Sequence, residues 1–463
     1  MVFSSTTFLF IYLPVVLAVY YLVPKRWRNL WLFLVNLVFY GWGEPVYILL
    51  MIFSIALNYA AGLLIGKHAS DRPRAKRLLV LDIAANLAML AFFKYYDLFA
   101  ATLSLIPGLE VPALGVTLPI GISFYTFQTM SYPIDVYRAD CEPQRSFVTF
   151  GTFVALFPQL IAGPIVRYKD VADQLQSRPY ELERFSSGVR RFAVGLGKKV
   201  LLANNIGMLW DLLSARPAAS LTVAGAWMGA LAFSLQIYFD FSGYSDMAIG
   251  LGRMLGFEFL ENFDHPYVSR SVTEFWRRWH MSLGSWFRDY VYIPLGGNRK
   301  GLARQLFNIL VVWALTGFWH GASWTFLLWG LYYALFLMLE KIFLLKPLRK
   351  VPALGTVYTL FVVVCGWVIF DLTDLGDALG YYAAMFGGGA GWFGAADLFY
   401  LKNYAAVFLV SIAACLPLGK TLYHALPEKA KSVLTPVLIL AVLTLSTAYL
   451  VDATYNPFLY FRF

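Results

Sequence analysis

The run from Phe307 to Leu339 contains no Asp, Glu, Lys or Arg, yet it carries one histidine, His320. At about 1.5 Å per residue, a bilayer crossing needs about 20 apolar residues. The run is therefore long enough to cross a membrane, turn at its glycines and begin to return. A histidine at membrane depth usually faces an internal cavity rather than lipid, which makes His320 a functional candidate. The alternative is a histidine that bonds a neighbouring helix carbonyl and has no other role.

The composition of the whole chain agrees with a membrane protein. Residues of the set AVILMFWYC make up 59% of the 463, and charged residues make up 14%, against about 45–50% and about 25% in soluble domains. The net charge of +10 comes from basic residues in loops between apolar runs, which is typical of cytoplasmic loops facing anionic lipid rather than of nucleic-acid binding. Cys141, Cys365 and Cys415 lie far apart, so we expect neither a disulfide nor a zinc site.

Further apolar runs predict an all-α polytopic fold in a single domain, 1–463. The first run has its basic residues only after it, at Lys25, Arg26 and Arg28, which indicates a retained span with an external N-terminus. We expect about 11 crossings and a peripheral or re-entrant cytoplasmic layer over 167–213. The predicted spans cover 8–23, 30–42, 46–66, 78–93, 118–136, 147–162, 221–239, 322–345, 356–370, 404–418 and 437–451.

The span 221–239 runs directly into a polar segment that begins at Asp240. A carboxylate would cost about 2.5–3.5 kcal/mol at the centre of a lipid-facing helix, so Asp240 is expected to point inward or to lie beyond the membrane. The pair Ser242-Gly243 suggests a local break, after which the helix resumes over 247–255. A polar turn between two helices is the alternative.

The segment 271–290 differs from the spans because it is amphipathic, cationic and rich in tryptophan. Ser271 and Glu274 have the spacing of a capping box. The pattern predicts one helix lying in the membrane interface, with His280 beside its apolar face. The apolar face comprises Phe275, Trp279, Leu283, Trp286 and Tyr290, and the opposite face includes Arg277, Arg278, Ser285 and Arg288.

The two histidines His280 and His320 favour proton transfer over metal binding. Neither has a histidine, cysteine or carboxylate three or four residues after it, so we expect no metal site. An imidazole with a pKa near 6.5 can remove a proton from an alcohol that attacks an activated acyl group, an effect of ~10²–10⁴-fold in rate. No G-x-S-x-G motif adjoins either histidine, which argues against a serine nucleophile. We expect His68, His265 and His424 to lie in loops.

Five segments in order resemble the membrane-bound O-acyltransferase (MBOAT) family, most closely its bacterial alginate O-acetyltransferase branch. The resemblance extends from the opening Val2-Phe3-Ser4-Ser5 to the closing run 456–463 and so covers essentially the whole chain. The segments are YFDFSGYSD at 238–246, EFWRRWHMSL at 274–283, RDY at 288–290, LGGNR at 295–299 and FWHG at 318–321.

This resemblance implies a ring of tilted helices around a thin centre with a funnel or tunnel. His320 matches the family's catalytic histidine, and His280 matches a second histidine that other branches replace with Asn or Asp. That exchange favours a hydrogen-bonding or orienting role for His280. In related members, the acyl group arrives on a cytoplasmic thioester, coenzyme A or a carrier's phosphopantetheine, and leaves on an external acceptor. The thioester is a substrate, and no bound cofactor is expected.

Several residues around the histidines are candidate contacts for the donor or the substrate. The basic residues could hold an anionic donor, with anchoring to anionic lipid as the alternative, which is favoured more for Arg299 and Lys300. Aromatic side chains could exclude water and protect the thioester from hydrolysis. The candidates are Asp240, Ser242, Arg277, Arg278, Trp279 and Trp319.

Three functional hypotheses follow. The first is an O-acyltransferase of the bacterial inner membrane that moves acetyl groups towards an exported polysaccharide, directly or through a periplasmic partner. A secretion complex and a cytoplasmic acyl-donor carrier are its further candidate partners. D-alanyl or other acyl transfer to a cell-wall polymer is its variant. The second is a proton-coupled transporter that uses Asp240, His280 and His320 as a relay. The third is a non-catalytic scaffold of a secretion complex.

Overall fold

A computed structural model describes residues 1–452 together with 458 and 459, and helices dominate these ranges. No strand occurs in them, and one isolated bridge pairs Phe263 with Trp279. Apart from Phe458 and Leu459, the closing run 456–463 lies outside the described residues. The α-helices are α1 Leu13–Leu22, α2 Arg28–Gly41, α3 Ile48–Lys67, α4 Arg72–Leu103, α5 Ile122–Arg138, α6 Phe147–Ala155, α7 Phe157–Leu160, α8 Tyr168–Gln176, α9 Leu182–Gly197, α10 Asn204–Ser214, α11 Val223–Met254, α12 Val272–Arg278, α13 Met281–Phe287, α14 Gly301–His320, α15 Trp324–Leu339, α16 Leu345–Lys350, α17 Pro352–Asp371, α18 Leu375–Met385, α19 Ala395–Cys415, α20 Leu418–Ala425 and α21 Glu428–Asp452.

Seven helical segments of the described part are long and apolar enough to cross a membrane: α3, α4, α14, Trp324–Lys350, α17, α19 and α21. A shorter apolar helix covers Phe8–Leu22. The chain is therefore an all-helical, multi-pass membrane protein, as its composition predicted. The total of about 11 crossings and the ring around a funnel stay predictions.

The chain forms two compact units. The first comprises Met1–Phe192 and Ser245–Leu260, and the second comprises Ala193–Tyr244 and the described residues of Glu261–Phe463. In the first unit, the amides of Asn58 on α3 and Asn86 on α4 donate to one another at 3.0 and 3.1 Å. Such reciprocal bonds satisfy polar side chains that a membrane segment could not leave exposed to lipid.

The second unit contains the helical hairpin of α14 and α15, which realises the predicted crossing and return. A Cβ atom at Gly317 would lie 2.3 Å from the carbonyl oxygen of Phe326, and one at Gly330 would lie 2.2 Å from that of Trp313. Only glycine allows this close approach of two helix backbones. The glycines therefore set the packing of α14 on α15 and the position of His320 at the end of α14.

The predicted break after Asp240 is wrong, because α11 continues through this segment as one 32-residue helix. Gly243 serves close packing instead of a turn, since a Cβ there would lie 2.8 Å from the carbonyl oxygen of Gly195. The carboxylate of Asp240 is paired with Lys199 inside the second unit. The ion pair and the close packing explain why a polar sequence can remain helical.

The prediction of one helix over 271–290 is also wrong. The structure has two short helices, α12 and α13, separated at Trp279 and His280, and His280 has a left-handed backbone with φ 46°. The backbone at this break forms a hydrogen bond outside the helix, because the Met281 N–H donates to the Asn262 carbonyl at 3.0 Å. The predicted apolar residues are nevertheless buried, including Phe275 and Trp286.

Two smaller expectations also differ from the structure. The span predicted at 78–93 belongs to the longer helix α4, so Lys94 lies inside a helix rather than at its end. His424 lies in α20 rather than in a loop. His265 takes a left-handed backbone just before a short 3-10 turn at Pro266–Val268.

Candidate active site

His320 is the last residue of α14, where the chain leaves the helix through Gly321, which has an extended backbone. Its side chain is buried within an aromatic shell. The His320 ring centroid lies 5.0 Å from the Trp329 ring and 5.2 Å from the Phe370 ring, both nearly perpendicular to it. The turn that follows ends at Ser323, whose hydroxyl accepts from the Thr325 N–H at 3.2 Å and starts α15.

His280 lies in the same unit, at the break between α12 and α13, and its position depends on Asn262. The imidazole Nδ1 lies 3.2 Å from Asn262 Oδ1. The same oxygen accepts from the Ser282 N–H at 3.2 Å and from the Ser282 hydroxyl at 2.8 Å. The ring of His280 also meets the Phe241 ring edge to face at 4.7 Å. A strained backbone conformation is thus supported by several contacts, which is common at functional sites.

The hydrogen bonds at Asn262 determine the tautomer of His280. Because the backbone N–H of Ser282 can only donate, its partner atom on Asn262 must be the oxygen. His280 Nδ1 therefore carries the proton and donates to that oxygen, and Nε2 keeps its lone pair. Burial lowers the pKa of His280 to about 3, so the ring is neutral at physiological pH and suited to accepting a hydrogen bond.

Trp319 connects the two histidines. Its ring centroid lies 5.0 Å from that of His320 and 6.0 Å from that of His280. Three sequence-predicted site residues are thereby brought into one aromatic cluster. Trp279 extends this cluster through its contact with Trp367 at 4.8 Å.

A pocket of about 410 Å³ borders this cluster. Its wall includes His280, Trp276 and Thr316, which precedes His320 by one turn of α14. His320 itself is not among the lining residues. The pocket also has cationic and polar walls, formed by Arg277, Arg288, Lys341, Asn298 and Gln305.

Two cations of this pocket are available to a ligand. Within the described residues, the structure shows no ion pair for Arg277 or Lys341. Arg288 differs, because its guanidinium binds the Asp289 carboxylate at 2.7 Å. An anionic group entering the pocket would meet Arg277 and Lys341 without displacing a carboxylate.

Buried N–H and O–H groups lie among the aromatic side chains around Trp276. The indole nitrogens of Trp276 and Trp329 and the hydroxyl of Tyr333 are buried, and none has a hydrogen-bond partner among the described residues. The Trp276 ring lies 5.7 Å from the Trp329 ring and 4.8 Å from the Tyr333 ring. Unsatisfied buried donors are uncommon, so each of the three is a candidate to donate to a carbonyl oxygen or an oxyanion.

The helix that presents Trp276 and Arg277 is held at its N-terminus. The buried Glu340 carboxylate accepts from the N–H groups of Val272 at 2.6 Å and Thr273 at 2.8 Å. Ser271 accepts from the Glu274 N–H at 3.0 Å. A carboxylate at a helix N-terminus is favourable because it binds unpaired N–H groups and complements the helix dipole.

The remaining predicted residues lie in different surroundings. Arg278 does not line the pocket and is paired with Glu274 at 3.0 Å and with Asp264 at 3.3 Å. Asp240 is buried, paired with Lys199, and accepts from the Leu459 N–H at 2.8 Å. The nearby Ser242 is also buried.

No group of three metal-ligating side chains occurs in the part of the chain that the structure describes. The chemistry available here is proton transfer by imidazole, hydrogen bonding by indole and phenol, and electrostatic attraction by two cations. These features define a multi-pass membrane protein with a buried histidine site beside a cationic pocket.

Comparison with known proteins gives the family. A model of the membrane-bound O-acyltransferase family matches residues 138–370. A Pseudomonas putida protein described as "Probable alginate O-acetylase AlgI" is 42% identical over the full length of both chains. A protein of Azotobacter vinelandii with the same description is 45% identical, over 83% of this chain and 78% of the relative. The peptidoglycan O-acetyltransferase of Helicobacter pylori is 34% identical, over 88% of this chain and 83% of the relative.

The chain therefore belongs to the membrane-bound O-acyltransferase family and is an acyltransferase. The family predicted from the sequence is confirmed, and both candidate histidines lie in one cluster, whereas local patterns gave no indication of Asn262, Glu340 or the buried donors. Asn262 lies 18 residues before His280, and no local spacing connects the two. Trp276 is part of a recognised segment, but its unpaired indole is visible only in three dimensions.

Proposed function

We propose that this chain transfers an acetyl group from a cytoplasmic thioester towards a hydroxyl of an exported, alginate-like polysaccharide in the bacterial inner membrane. The similarity to relatives described as probable alginate O-acetylases supports the polymer and the acyl group. The 34% identity to a peptidoglycan O-acetyltransferase supports acetyl transfer to exported polymers in general.

The observation that carries this proposal is the position of His280 and His320 around Trp319, next to a pocket with two available cations. Arg277 and Lys341 suit the phosphates of coenzyme A or of a carrier's phosphopantetheine. The pocket is also lined by the aromatic side chains of Trp276, Trp279 and Trp313, which suit an uncharged thioester.

In the proposed reaction, His320 removes the proton of the acceptor hydroxyl as its oxygen attacks the thioester carbonyl. The new C–O bond gives a tetrahedral oxyanion, which the N–H groups of Trp276 and Trp329 and the hydroxyl of Tyr333 would stabilise. Collapse breaks the C–S bond, and the thiolate takes the proton from His320. His280 accepts a hydrogen bond at Nε2 and orients a substrate, since its low pKa makes it a weak base.

The cellular setting completes the proposal. The N-terminus lies in the periplasm, because the basic residues follow the first apolar run. The acetyl group passes either to the polymer directly or to a periplasmic partner enzyme associated with the secretion complex.

The test uses exopolysaccharide from cells that lack the gene and carry wild type, His320→Ala or His424→Ala on a plasmid. His424 is exposed on α20 and serves as the matched histidine control. At equal membrane levels of protein, wild type and His424→Ala should give polymer with acetyl esters by mass spectrometry, and His320→Ala should give none. Acetylated polymer from His320→Ala cells, or D-alanyl esters instead of acetyl esters, would contradict the proposal.

A further inference from the structure

A second pocket of the second unit has no place in the proposed reaction. It encloses about 590 Å³ between α11, α17 and α19. Both α17 and α19 are candidate membrane spans. The residues in its walls are almost all apolar, including Leu231, Leu235, Leu360, Val364, Phe408 and Ile412.

The pocket is elongated along the helices. Its lining residues on α17 recur at Pro352, Thr356, Leu360 and Val364, one helical turn apart on a single face. From Pro352 to Val364 the helix rises by twelve residues, which corresponds to about 18 Å. A narrow apolar space of this length, parallel to membrane helices, fits an extended hydrocarbon chain.

One end of the pocket is cationic. Arg270 lies there, and its carbonyl oxygen would be 2.5 Å from a Cβ atom at Gly355, near the start of α17. Arg270 is exposed, and its guanidinium forms no ion pair with any residue in the described ranges.

We propose that this pocket binds one anionic phospholipid. An acyl chain occupies the apolar walls along α17 and α19, and the phosphate binds Arg270. The apolar length and the charged end match the two parts of a lipid, and a cation beside a span attracts anionic lipid. A wholly apolar ligand would leave Arg270 without a role.

The bound lipid would also support the active-site layer. Tyr267 lines this pocket, and its ring lies 5.9 Å from Phe275 and 6.3 Å from Trp279. Trp279 directly precedes His280. A lipid in this pocket would therefore contact Tyr267, whose ring contacts Trp279 of the aromatic cluster.

The test is native mass spectrometry of the purified full-length chain from nanodiscs of equal phosphatidylglycerol and phosphatidylethanolamine. Wild type should retain phosphatidylglycerol in preference, and Arg270→Gln should retain about five-fold less, the change expected for one cation near a membrane surface. Leu360→Trp should lose the retained lipid because the larger ring fills the space for the chain. Lys402→Gln is the matched control, since Lys402 is an exposed cation on α19 outside the pocket lining.

Size-exclusion profiles and thermal unfolding establish that each variant is folded before its lipid is counted. Equal phosphatidylglycerol retention by Arg270→Gln and Lys402→Gln would contradict binding of the headgroup at Arg270. Full retention by Leu360→Trp would contradict binding of the acyl chain in the pocket. Equal retention of both lipids by wild type would overturn the preference for an anionic headgroup.

Discussion

The two pockets of the second unit differ in their walls more than in their size. The smaller one, of about 410 Å³, presents an imidazole and two cations without carboxylate partners among the described residues, and the aromatic cluster beside it carries buried N–H donors. The larger one, of about 590 Å³, is apolar along its length and has an arginine at one end. Reactive chemistry needs polar groups that are buried but not already satisfied. The smaller pocket has such groups, whereas the larger one is suited to holding a chain.

The largest effect is expected from His320→Ala, in the aromatic cluster beside the smaller pocket. Loss of the proposed base should lower acetyl transfer by ~10²–10⁴-fold. Initial rates with labelled thioester and purified protein measure this effect. His424→Ala should keep the wild-type rate, and a His320→Ala rate within a few-fold of wild type would remove His320 from the chemistry.

A second prediction concerns the buried donors beside the smaller pocket. Trp276→Phe keeps an aromatic ring but removes the indole N–H, so kcat should fall about 10²-fold while the KM for the donor changes little. Trp392→Phe is the control because Trp392 is 77% exposed. An unchanged kcat for Trp276→Phe would mean that this N–H does not bind the oxyanion.

A third prediction tests the cationic wall. Arg277→Gln should raise the KM for an anionic thioester by about ten-fold, with a smaller penalty at high salt, because one charge-assisted contact is lost. Arg278→Gln is the neighbouring comparison, since Arg278 is paired with Glu274 and lies outside the pocket lining. Equal changes in KM for both variants would indicate a general charge effect rather than a donor site.

The smallest effect concerns acid stability. The unfolded pKa of a histidine is near 6.5, and burial lowers the pKa of His280 to about 3. Between these values the unfolded state binds more protons, so the unfolding free energy should fall as the pH decreases below 6.5, by about 1.4 kcal/mol per pH unit. Denaturant unfolding of wild type and His280→Asn at pH 7.5 and 5.5 measures this change in the unfolding free energy. The variant should lose less stability on acidification. Identical losses in the two proteins would contradict a lowered pKa of His280 in the folded state.

Local sequence patterns were sufficient where the cause of the structure is local. The charge-free run with glycines predicted a hairpin around His320, and α14 and α15 form it. Local sequence patterns failed where a residue distant in sequence determines the conformation. Asn262 supports the left-handed backbone of His280, and Glu340 binds the start of α12, so the uninterrupted pattern over 271–290 gave a false single helix. Ser242-Gly243 suggested a turn, whereas Gly243 allows close approach to the Gly195 carbonyl.

The proposed reaction requires that His320 act directly on an acceptor hydroxyl. The most direct measurement is single-turnover transfer of labelled acetyl from a thioester to alginate by the purified chain without any proton gradient, compared between wild type and His320→Gln at equal folded concentration. Wild type should form labelled ester, and His320→Gln should form it at least about 10²-fold more slowly. Equal rates for the two proteins would contradict this role of His320.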